Sequence, residues 1–241
     1  MELRKEIARV AFTLIRNNSS VGLGDGSTIL FLAEYIIEAI RKELTLQLFT
    51  SSVQTQNFLE KKGISVKDFS TINNLDQYFD GCDQVDRQLN AFKSGSGIHT
   101  TEKLLASMAD KFFLLADDSK FVTRLENKFP LVLEVLPPAT AYILDEIKYV
   151  FPGILATLRM SENNIPASTR YGNWLVDCKF SRLPALKMLH THCKSIPGVV
   201  ETSLFYKMAS GAFIGGRREV RRFERNNNRV NLIKKYPVSI E

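Results

Sequence analysis

The chain has 241 residues, 44% of them hydrophobic, so it can bury a large core, which excludes an intrinsically disordered protein. Its formal net charge of +6 would favour an anionic partner if it were spread over the whole surface. The run from Arg217 to Lys235 alone holds eight basic and two acidic residues, so the rest of the chain is electrically balanced. This run contains one aromatic residue and no recognisable nucleic-acid-binding motif, so it indicates a solvated helix or an extended sheet edge in preference to nucleic-acid binding.

The cysteines and the hydropathy pattern set the expected compartment. Cys82, Cys178 and Cys193 are odd in number, widely spaced and without a CxxC pair, so we expect reduced thiols and neither a disulfide framework nor a zinc site. The sequence has no apolar stretch as long as a membrane span, and its amphipathic N-terminus is unlike a signal peptide. A cytoplasmic protein without membrane association is therefore expected.

The first half of the chain alternates helical and strand patterns. In chain order the predicted elements are a helix over 2–17, the strand SVGLG, a helix over 28–42, the strand LQLFT, a helix over 54–62, a strand ending at Asp80, a helix from about His99 and the strand KFFLLAD. Such alternation is typical of a mostly parallel, Rossmann-like α/β sheet with helices on both faces. We assign residues 1–128 to this domain.

The pattern changes after Phe129-Pro130. Four strands are predicted at LVLEVLP, ILATLRM, WLVDCKF and VVETSLF, with one helix starting at Pro138 and another over 183–194. The order strand-helix-strand-strand-helix-strand indicates a small α+β, ferredoxin-like domain over 129–205. The strand AFIGG is expected to return to the first sheet, so that 206–241 completes the first domain.

A glycine-rich loop between the first strand and the next helix is a candidate phosphate site. It comprises Gly24, Asp25, Gly26, Ser27 and Thr28. Glycines let backbone N–H groups approach an anion, the helix N-terminus adds positive potential, and the two hydroxyls can donate hydrogen bonds. A plain tight turn with Ser27 as the N-cap is the alternative. If phosphate binds here, the carboxylate of Asp25 must point away from it or contact a hydroxyl.

A second cluster of polar residues follows the strand that ends at Asp80. Asp80 and Asp83 lie where open α/β sheets bind ligands, although Asp and Gly also form ordinary surface turns. The turn KSGSG comes next, and we take four of its residues as candidate site residues: Lys93, Gly95, Ser96 and Gly97.

Two further side chains could take part in chemistry at the same edge. Glu102 lies in the first turns of a helix, where a carboxylate is favoured by the helix dipole alone. Together with Lys93 and the two aspartates it could instead act as a general base beside a carbonyl, with the lysine stabilising an enediolate. Lys120 follows the next strand and could contribute a cation to the crevice, although a lone loop lysine usually has no such role.

His190 and His192 resemble a metal-binding pair at first sight. Residues two apart on a helix point in different directions, and the sequence offers no further His or Cys cluster to complete a site. We therefore predict no metal site.

Several motifs together resemble those of the ribose-5-phosphate isomerase type A family, in order and spacing, over nearly the whole chain to about Gly216. They are VGLGDGST, DGCDQVD, KSGSG with TEK, ADDSK, FPLVLEVLP, YGNWLVD and SIPGVVETSLF. The resemblance implies that the loop Gly24 to Thr28 and Lys120 hold a sugar phosphate. It also implies that Asp80 and Asp83 match the DGAD aspartates, Lys93 the lysine of KGGGGA, and Glu102 the catalytic glutamate of REK.

The implied activity is interconversion of D-ribose 5-phosphate and D-ribulose 5-phosphate in the pentose phosphate pathway, through a cis-enediolate and without cofactor or metal. A homodimer or a dimer of dimers is implied as well. Two alternatives stay open: an isomerase of another phosphorylated sugar, and a non-catalytic sugar-phosphate sensor of the same fold.

The departures from the family motifs lie around the expected substrate. GTGST reads GDGST here, KGGGGA reads KSGSGI, TDNGN reads TRYGN at 169–173, and the family's near-N-terminal lysine falls near Arg4 or Lys5. Ser94 and Ser96 replace glycines, which would cost energy if the backbone needed a positive φ there. These changes predict a divergent member with altered efficiency or substrate preference.

Overall fold

A computed structural model describes residues 1–227 and 229–238. Its helices are α1 (Glu2–Phe12), α2 (Ser27–Ile40), α3 (Val53–Lys61), α4 (His99–Met108), α5 (Thr140–Val150) and α6 (Leu186–Ser195). Its strands are β1 (Ser19–Leu23), β2 (Leu46–Thr50), β3 (Leu75–Asp80), β4 (Gln84–Asp86), β5 (Ala91–Phe92), β6 (Ala109–Asp117), β7 (Phe121–Val122), β8 (Leu131–Val135), β9 (Leu155–Leu158), β10 (Trp174–Lys179), β11 (Val199–Thr202), β12 (Leu204–Phe205), β13 (Gly211–Gly215), β14 (Glu219–Asn226) and β15 (Arg229–Pro237).

A seven-stranded sheet of order β15-β14-β13-β6-β3-β1-β2 forms the centre of the protein. The five strands from β13 to β2 are parallel, and β14 and β15 extend one edge as antiparallel strands. The parallel strands are recognisable in the sequence because both of their faces are covered, which makes them continuous apolar runs such as Phe112–Ala116. All five parallel strands end at the same edge of the sheet.

Helices cover both faces of this sheet, which confirms the predicted α/β class. On one face, α1 and α2 bury residues such as Ile7 and Leu32 against Phe79, Phe113 and Phe213 of the strands. The opposite face buries Leu105 of α4 with side chains from β3, β6 and β13. The α4 helix therefore lies on the side of the sheet that faces the second part of the chain.

A four-stranded antiparallel sheet of order β11-β8-β10-β9 forms the second unit of the fold. The connection β8-α5-β9-β10-α6-β11 and this strand order match the predicted ferredoxin-like α+β arrangement. Its own apolar cluster includes Leu133, Ile143, Val176 and Leu189.

The predicted single strand VVETSLF is wrong in one respect. It divides at Ser203 into β11, which joins the antiparallel sheet, and β12, which pairs with β5 in a third sheet of order β12-β5-β4-β7. The chain divides there because Ser203 bonds to both sheets: its hydroxyl accepts from Val132 N of β8 at 2.9 Å, and its carbonyl accepts from Lys93 N, which follows β5, at 3.0 Å. Short strands of the third sheet link the two larger sheets.

Two other elements differ from the sequence-based expectation. The first helix ends at Phe12 instead of residue 17, because Thr13 bonds its hydroxyl to the Val10 carbonyl at 2.7 Å and turn-type bonds follow. The helix expected from Pro138 begins at Thr140, after a single 3₁₀ turn over Pro137–Ala139. Most of the described part of the basic run lies in β14 and β15, which selects the sheet-edge alternative.

Within residues 1–227 and 229–238, every helix is too short or too polar to cross a membrane.

Candidate active site

A cleft of about 270 Å³ opens where the carboxyl ends of β1, β3 and β6 meet α4 and the KSGSG turn. Residues from each of these elements line it: Arg4, Asp25, Gly26, Ser27, Thr28, Gly81, Cys82, Asp83, Lys93, Gly95, Ser96, Glu102, Leu115, Ala116, Asp117 and Lys120. The location is the one expected for a ligand site in an open α/β sheet.

Most of the candidate residues from the sequence come together in this cleft, and three lie behind its wall. Gly24, Asp80 and Gly97 do not line the cleft. Asp80 is fully buried beneath Lys93, and the two glycines lie where a side chain would collide with a neighbour. These three positions therefore shape the cleft from behind its wall.

Gly24 leaves room for the buried carboxylate of Asp80. A Cβ atom at this glycine would lie 2.0 Å from the carboxyl group. Asp80 Oδ1 accepts backbone N–H bonds from Asp25 at 3.1 Å and Gly81 at 2.7 Å, and its Oδ2 accepts from the Tyr78 hydroxyl at 2.7 Å. The aspartate is therefore held in one orientation, with Oδ1 directed toward Lys93.

The glycine-rich loop ends at the N-terminus of α2, which opens onto the cleft. Gly26 is the N-cap and has a φ of 100°, a value that favours glycine, so Ser27 is the first helical residue and not the cap. Arg4 of α1 donates from Nη1 to Ser27 Oγ at 2.9 Å. Asp25 accepts from the Ser52 hydroxyl at the start of α3.

Lys93 joins the two carboxylates of the site. Its Nζ lies 3.0 Å from Asp80 Oδ1 and 3.2 Å from Glu102 Oε1, and it donates to the Gly81 carbonyl at 2.8 Å. Burial alone would lower the pKa of Lys93, but the attraction of Asp80 and Glu102 outweighs it and raises the pKa. The lysine is therefore a cation at neutral pH.

Glu102 is the carboxyl group best suited to proton transfer. It is 1% exposed, and among the described residues its Oε2 atom has no hydrogen-bond partner. Burial, with repulsion from Asp80, raises the pKa of Glu102 to about 8, against the opposing attraction of Lys93. One oxygen is thus anchored by the lysine, while the other is buried with its lone pairs unpartnered among the described residues.

Asp83 and Lys120 approach the cleft from two other loops. Asp83 Oδ2 accepts from Ser94 N at 2.5 Å, which ties the DGCD loop to the KSGSG turn. Lys120 Nζ donates to the Cys82 carbonyl at 2.7 Å and retains further donors. Both residues are part of the cleft wall.

The serines of the KSGSG turn fit without positive φ. The non-glycine residues with positive φ in the described chain do not include Ser94 or Ser96, so the expected backbone cost does not arise. Ser94 instead donates its hydroxyl to the Pro130 carbonyl at 2.6 Å. Gly97 is the strained position, with a φ of 71° and space for a Cβ blocked by Leu175 Cδ1 at 2.5 Å.

Some lining residues were not among the predicted site residues. Arg4 was noted only as the position nearest a family lysine, and Asp117, Leu115 and Ala116 line the cleft through the end of β6. A polar residue closing a buried strand was the available signal for Asp117. The divergent TRYGN segment does not line the cleft, and His190 and His192 lie against different rings, Tyr206 and Phe151.

The arrangement combines groups that can bind an anion with groups that can transfer a proton. The α2 N-terminus, Ser27, Thr28 and Lys120 supply hydrogen-bond donors and positive charge to the cleft. Glu102 and Lys93 add a carboxyl group of raised pKa and an ammonium group. Such a site can bind a small phosphorylated molecule and move a proton on it.

Comparison with known proteins gives consistent results. The family model described as ribose 5-phosphate isomerase A (phosphoriboisomerase A) matches residues 47–219. The chain is 35% identical to ribose-5-phosphate isomerase A 1 of Oceanobacillus iheyensis, over 89% of this chain and 94% of that protein. It is 34% identical to ribose-5-phosphate isomerase A of Pyrococcus furiosus, over 93% and 98%. A solved D-ribose-5-phosphate isomerase in complex with phospho-erythronic acid superposes with a TM-score of 0.86 and 30% identity, covering 93% of this chain and 98% of that one.

Proposed function

The chain belongs to the ribose 5-phosphate isomerase A family, and we propose that its cleft interconverts D-ribose 5-phosphate and D-ribulose 5-phosphate with Glu102 as the base. The observation that carries the role of Glu102 is its geometry: one oxygen contacts Lys93 at 3.2 Å, and the other has no hydrogen-bond partner among the described residues.

The phosphate group binds at the α2 end of the cleft. Backbone N–H groups at a helix N-terminus have no partners within the helix, so they bind anions readily. Ser27, Thr28 and Lys120 add hydroxyl donors and a positive charge at this end. The relative solved with phospho-erythronic acid, a phosphorylated sugar acid, supports a phosphorylated ligand in this family.

Glu102 moves one proton between adjacent carbons of the open-chain sugar. Its carboxylate takes the proton from C2, the C2–H electrons form a C1=C2 double bond, and the C1 carbonyl oxygen becomes an enediolate oxygen. Glu102 then returns the proton to C1, while the proton of the O2 hydroxyl passes to O1, so that C2 becomes the ketone and O1 becomes a hydroxyl. The sugar gains and loses no atoms overall, and the carboxyl group of Glu102 ends the reaction ionised, as it began.

Lys93 stabilises the charge that develops on the enediolate. The ammonium group is already positioned by Asp80 and Glu102, so little reorganisation is needed as negative charge builds up on O1 and O2. Asp83 lines the same wall and orients sugar hydroxyls by accepting from them. Asp80 acts through Lys93, because it lies behind the cleft surface.

The experiment that tests this assignment is turnover of ribose 5-phosphate by the purified protein in EDTA, compared with Glu102→Gln. The amide keeps the size of the side chain but cannot accept the proton, so kcat should fall by about 10³-fold, within the usual range for a general base. Glu162→Gln, at an exposed loop position, serves as the matched control and should leave kcat unchanged. A Glu102→Gln enzyme that turns over near the wild-type rate would contradict the role of Glu102.

Asp25 favours a second candidate, an isomerase with a preference for another phosphorylated sugar. This carboxylate lines the cleft at a position where the resembled motif has threonine. The carboxylate can only accept hydrogen bonds from sugar hydroxyls, whereas a threonine hydroxyl can also donate one. A panel of pentose and hexose phosphates decides between the two, since the preferred substrate has the highest kcat/KM.

The oligomeric state and the cellular location stay predictions. We propose a homodimer or a dimer of dimers in the cytoplasm, as the family resemblance implies. Light scattering coupled to size-exclusion chromatography and cell fractionation test these two points.

A further inference from the structure

A second cleft, of about 970 Å³, adjoins the first at the same edge of the large sheet. The two clefts share Arg4 and Asp117 as lining residues. The turn between β13 and β14 forms much of the second cleft, and it carries Arg217 and Arg218. Because β13 is parallel to β6, this turn lies beside the end of β6 and the Lys120 loop. We call this space the arginine cleft.

The carboxylates of the arginine cleft already have partners. Asp118 pairs with Arg221, and Glu219 lies 3.0 Å from Lys235 Nζ. Asp117 accepts from the Ser119 backbone N–H at 3.0 Å and also from its hydroxyl. Two of these three carboxylates are therefore opposed by cations of the fold, and the third, Asp117, is hydrogen-bonded.

Arg217 and Arg218 are different, because both are exposed and neither forms an ion pair within the described residues. Their turn is nevertheless fixed: Gly216 N donates to the Glu219 carbonyl at 2.8 Å, and Val238 N donates to the Arg218 carbonyl at 2.9 Å. Guanidinium groups on a fixed turn favour phosphate oxygens, which they can bind in a two-pronged arrangement.

The turn that carries Arg217 and Arg218 lies beside the groups proposed to bind phosphate. Arg4 bridges the clefts, since it donates to Ser27 at 2.9 Å and also lines the arginine cleft. Ser119 lines the arginine cleft and is followed directly by Lys120 of the active-site cleft. The arginine cleft therefore adjoins the active-site cleft at the groups proposed to bind phosphate, and its lining does not include Glu102.

We propose that the arginine cleft binds the second phosphate of a diphosphate-bearing ligand whose first phosphate lies in the active-site cleft. Sugar and nucleoside diphosphates, and pyrophosphate itself, have this chemistry. A monophosphate substrate leaves the arginine cleft free, so such diphosphates compete with the substrate and inhibit. This inference rests on the proposed function for the identity of the first phosphate site.

The remaining basic residues of β14 argue for a small anion over a nucleic acid. Arg222 pairs with Glu224, and Arg225 donates to the carbonyls of Ala209 at 3.1 Å and Gln88 at 2.6 Å. Nucleic-acid binding draws on many free cations spread along a surface. Here Arg221, Arg222, Arg225 and Lys235 bond within the fold, and Arg217 and Arg218 lie together on one turn.

The test is calorimetric binding of pyrophosphate and of orthophosphate, in EDTA, to the wild-type protein and to Arg217→Gln/Arg218→Gln. The wild type should bind pyrophosphate about tenfold more tightly than orthophosphate, the effect of one added charge-assisted hydrogen bond. The double variant should lose this preference but keep its orthophosphate affinity and its KM for ribose 5-phosphate. The matched control, Arg41→Gln/Arg182→Gln, alters two exposed arginines elsewhere and should retain the preference.

Four results would overturn the proposal. The first three are equal affinity for the two anions, a preference that survives in the double variant, and binding of an RNA oligonucleotide that depends on the two arginines and is not displaced by pyrophosphate. The fourth is failure of saturating ribose 5-phosphate to displace pyrophosphate, which would count against a shared site. The binding assay needs no turnover, so an inactive wild type that keeps the pyrophosphate preference contradicts only the proposed function.

Discussion

Glu102 is held between influences that act on its pKa in opposite directions. Burial and the nearby carboxylate of Asp80 favour the protonated form, while the ammonium group of Lys93 favours the ionised form. The result is a pKa of about 8, close to the range in which a base can both accept and release a proton readily. A carboxylate that only stabilised the start of its helix could do so at the surface, without burial and without a raised pKa.

Activity should therefore rise with pH on the acidic side of the profile. Glu102 acts as a base only when it is ionised, so kcat/KM should increase as pH rises and level off above a pKa of about 8. The carboxylate of Asp25 contributes to the raised pKa, so Asp25→Asn should move this limb to lower pH. Steady-state kinetics from pH 5 to 10 measure the acidic limb of the wild type and of Asp25→Asn.

Asp145→Asn provides the control for that shift, since Asp145 is exposed on α5. Its profile should superimpose on that of the wild type. A limb that stays in place in Asp25→Asn, or one that runs in the opposite direction, would show that another group controls the profile.

The KSGSG turn connects the two larger sheets through contacts that differ between its glycines. Gly97 has a positive φ and packs against Leu175 of β10, whereas the nearest atom to a Cβ at Gly95 is Asp83 Oδ1 at 3.9 Å. The two glycines therefore differ in what an added methyl group would cost. This difference follows from the packing of β10 and is invisible in the repeated Ser-Gly pattern.

Gly97→Ala should be destabilising where Gly95→Ala is not. The first substitution places a methyl group against Leu175 in an unfavourable backbone region, which should lower the free energy of unfolding by about 1–3 kcal/mol. The second should change it by less than about 0.5 kcal/mol. Urea denaturation of both variants makes the comparison, and equal stabilities would contradict the described turn.

The α4 helix is anchored to the antiparallel sheet just before Glu102. Glu134 of β8, 1% exposed, accepts from the hydroxyls of Thr100 and Thr169 and from Asn173 Nδ2. Thr169 and Asn173 belong to the TRYGN segment, so that segment supports the helix of the base instead of touching the cleft. The divergence at Arg170 and Tyr171 leaves these contacts intact.

Glu134→Gln should lower kcat more than it raises KM. The amide replaces one acceptor oxygen by an N–H₂ group that faces another donor, so α4 should shift and Glu102 should move from its reactive position. We expect kcat to fall about tenfold, a loss of about 1.4 kcal/mol in transition-state stabilisation. Glu201→Gln, on β11, removes the negative charge opposite Lys103 instead and serves as the comparison.

An unchanged kcat in Glu134→Gln would show that the network is structural only. A fall in kcat that Glu134→Asp partly restores would support positioning, because Asp keeps the acceptor oxygens on a shorter side chain.

The sequence predicted the architecture well and the details of the site less well. Buried parallel strands such as β2 and β6 are continuous apolar runs, so they are visible without the structure. The strands β4, β5 and β7 have two or three residues, too few for any periodicity, and they were missed. Asp80, Lys93 and Glu102 are separated along the chain, so their ion pairs depend on a fold that motif spacing alone does not specify.

Across the whole molecule, the antiparallel sheet supports the cleft wall through Arg159, which follows β9. Its guanidinium pairs with Asp177 of β10, with Nη2 to Oδ1 at 2.6 Å. The same side chain donates to the Ser94 carbonyl at 2.9 Å and to the Gly95 carbonyl at 3.1 Å. A single planar group thus joins the antiparallel sheet to the turn that follows Lys93.

Arg159→Lys should weaken substrate binding because a lysine cannot reproduce this fork of donors. It keeps the charge opposite Asp177 but loses bonds to the turn, so Gly95 and Ser96 should become less ordered and KM should rise about tenfold, equivalent to about 1.4 kcal/mol. The free energy of unfolding should fall by about 1 kcal/mol. Arg182→Lys, at an exposed position in the same domain, is the control and should alter neither quantity. An Arg159→Lys enzyme with wild-type KM but reduced stability would mean that the small domain supports the fold without shaping the cleft.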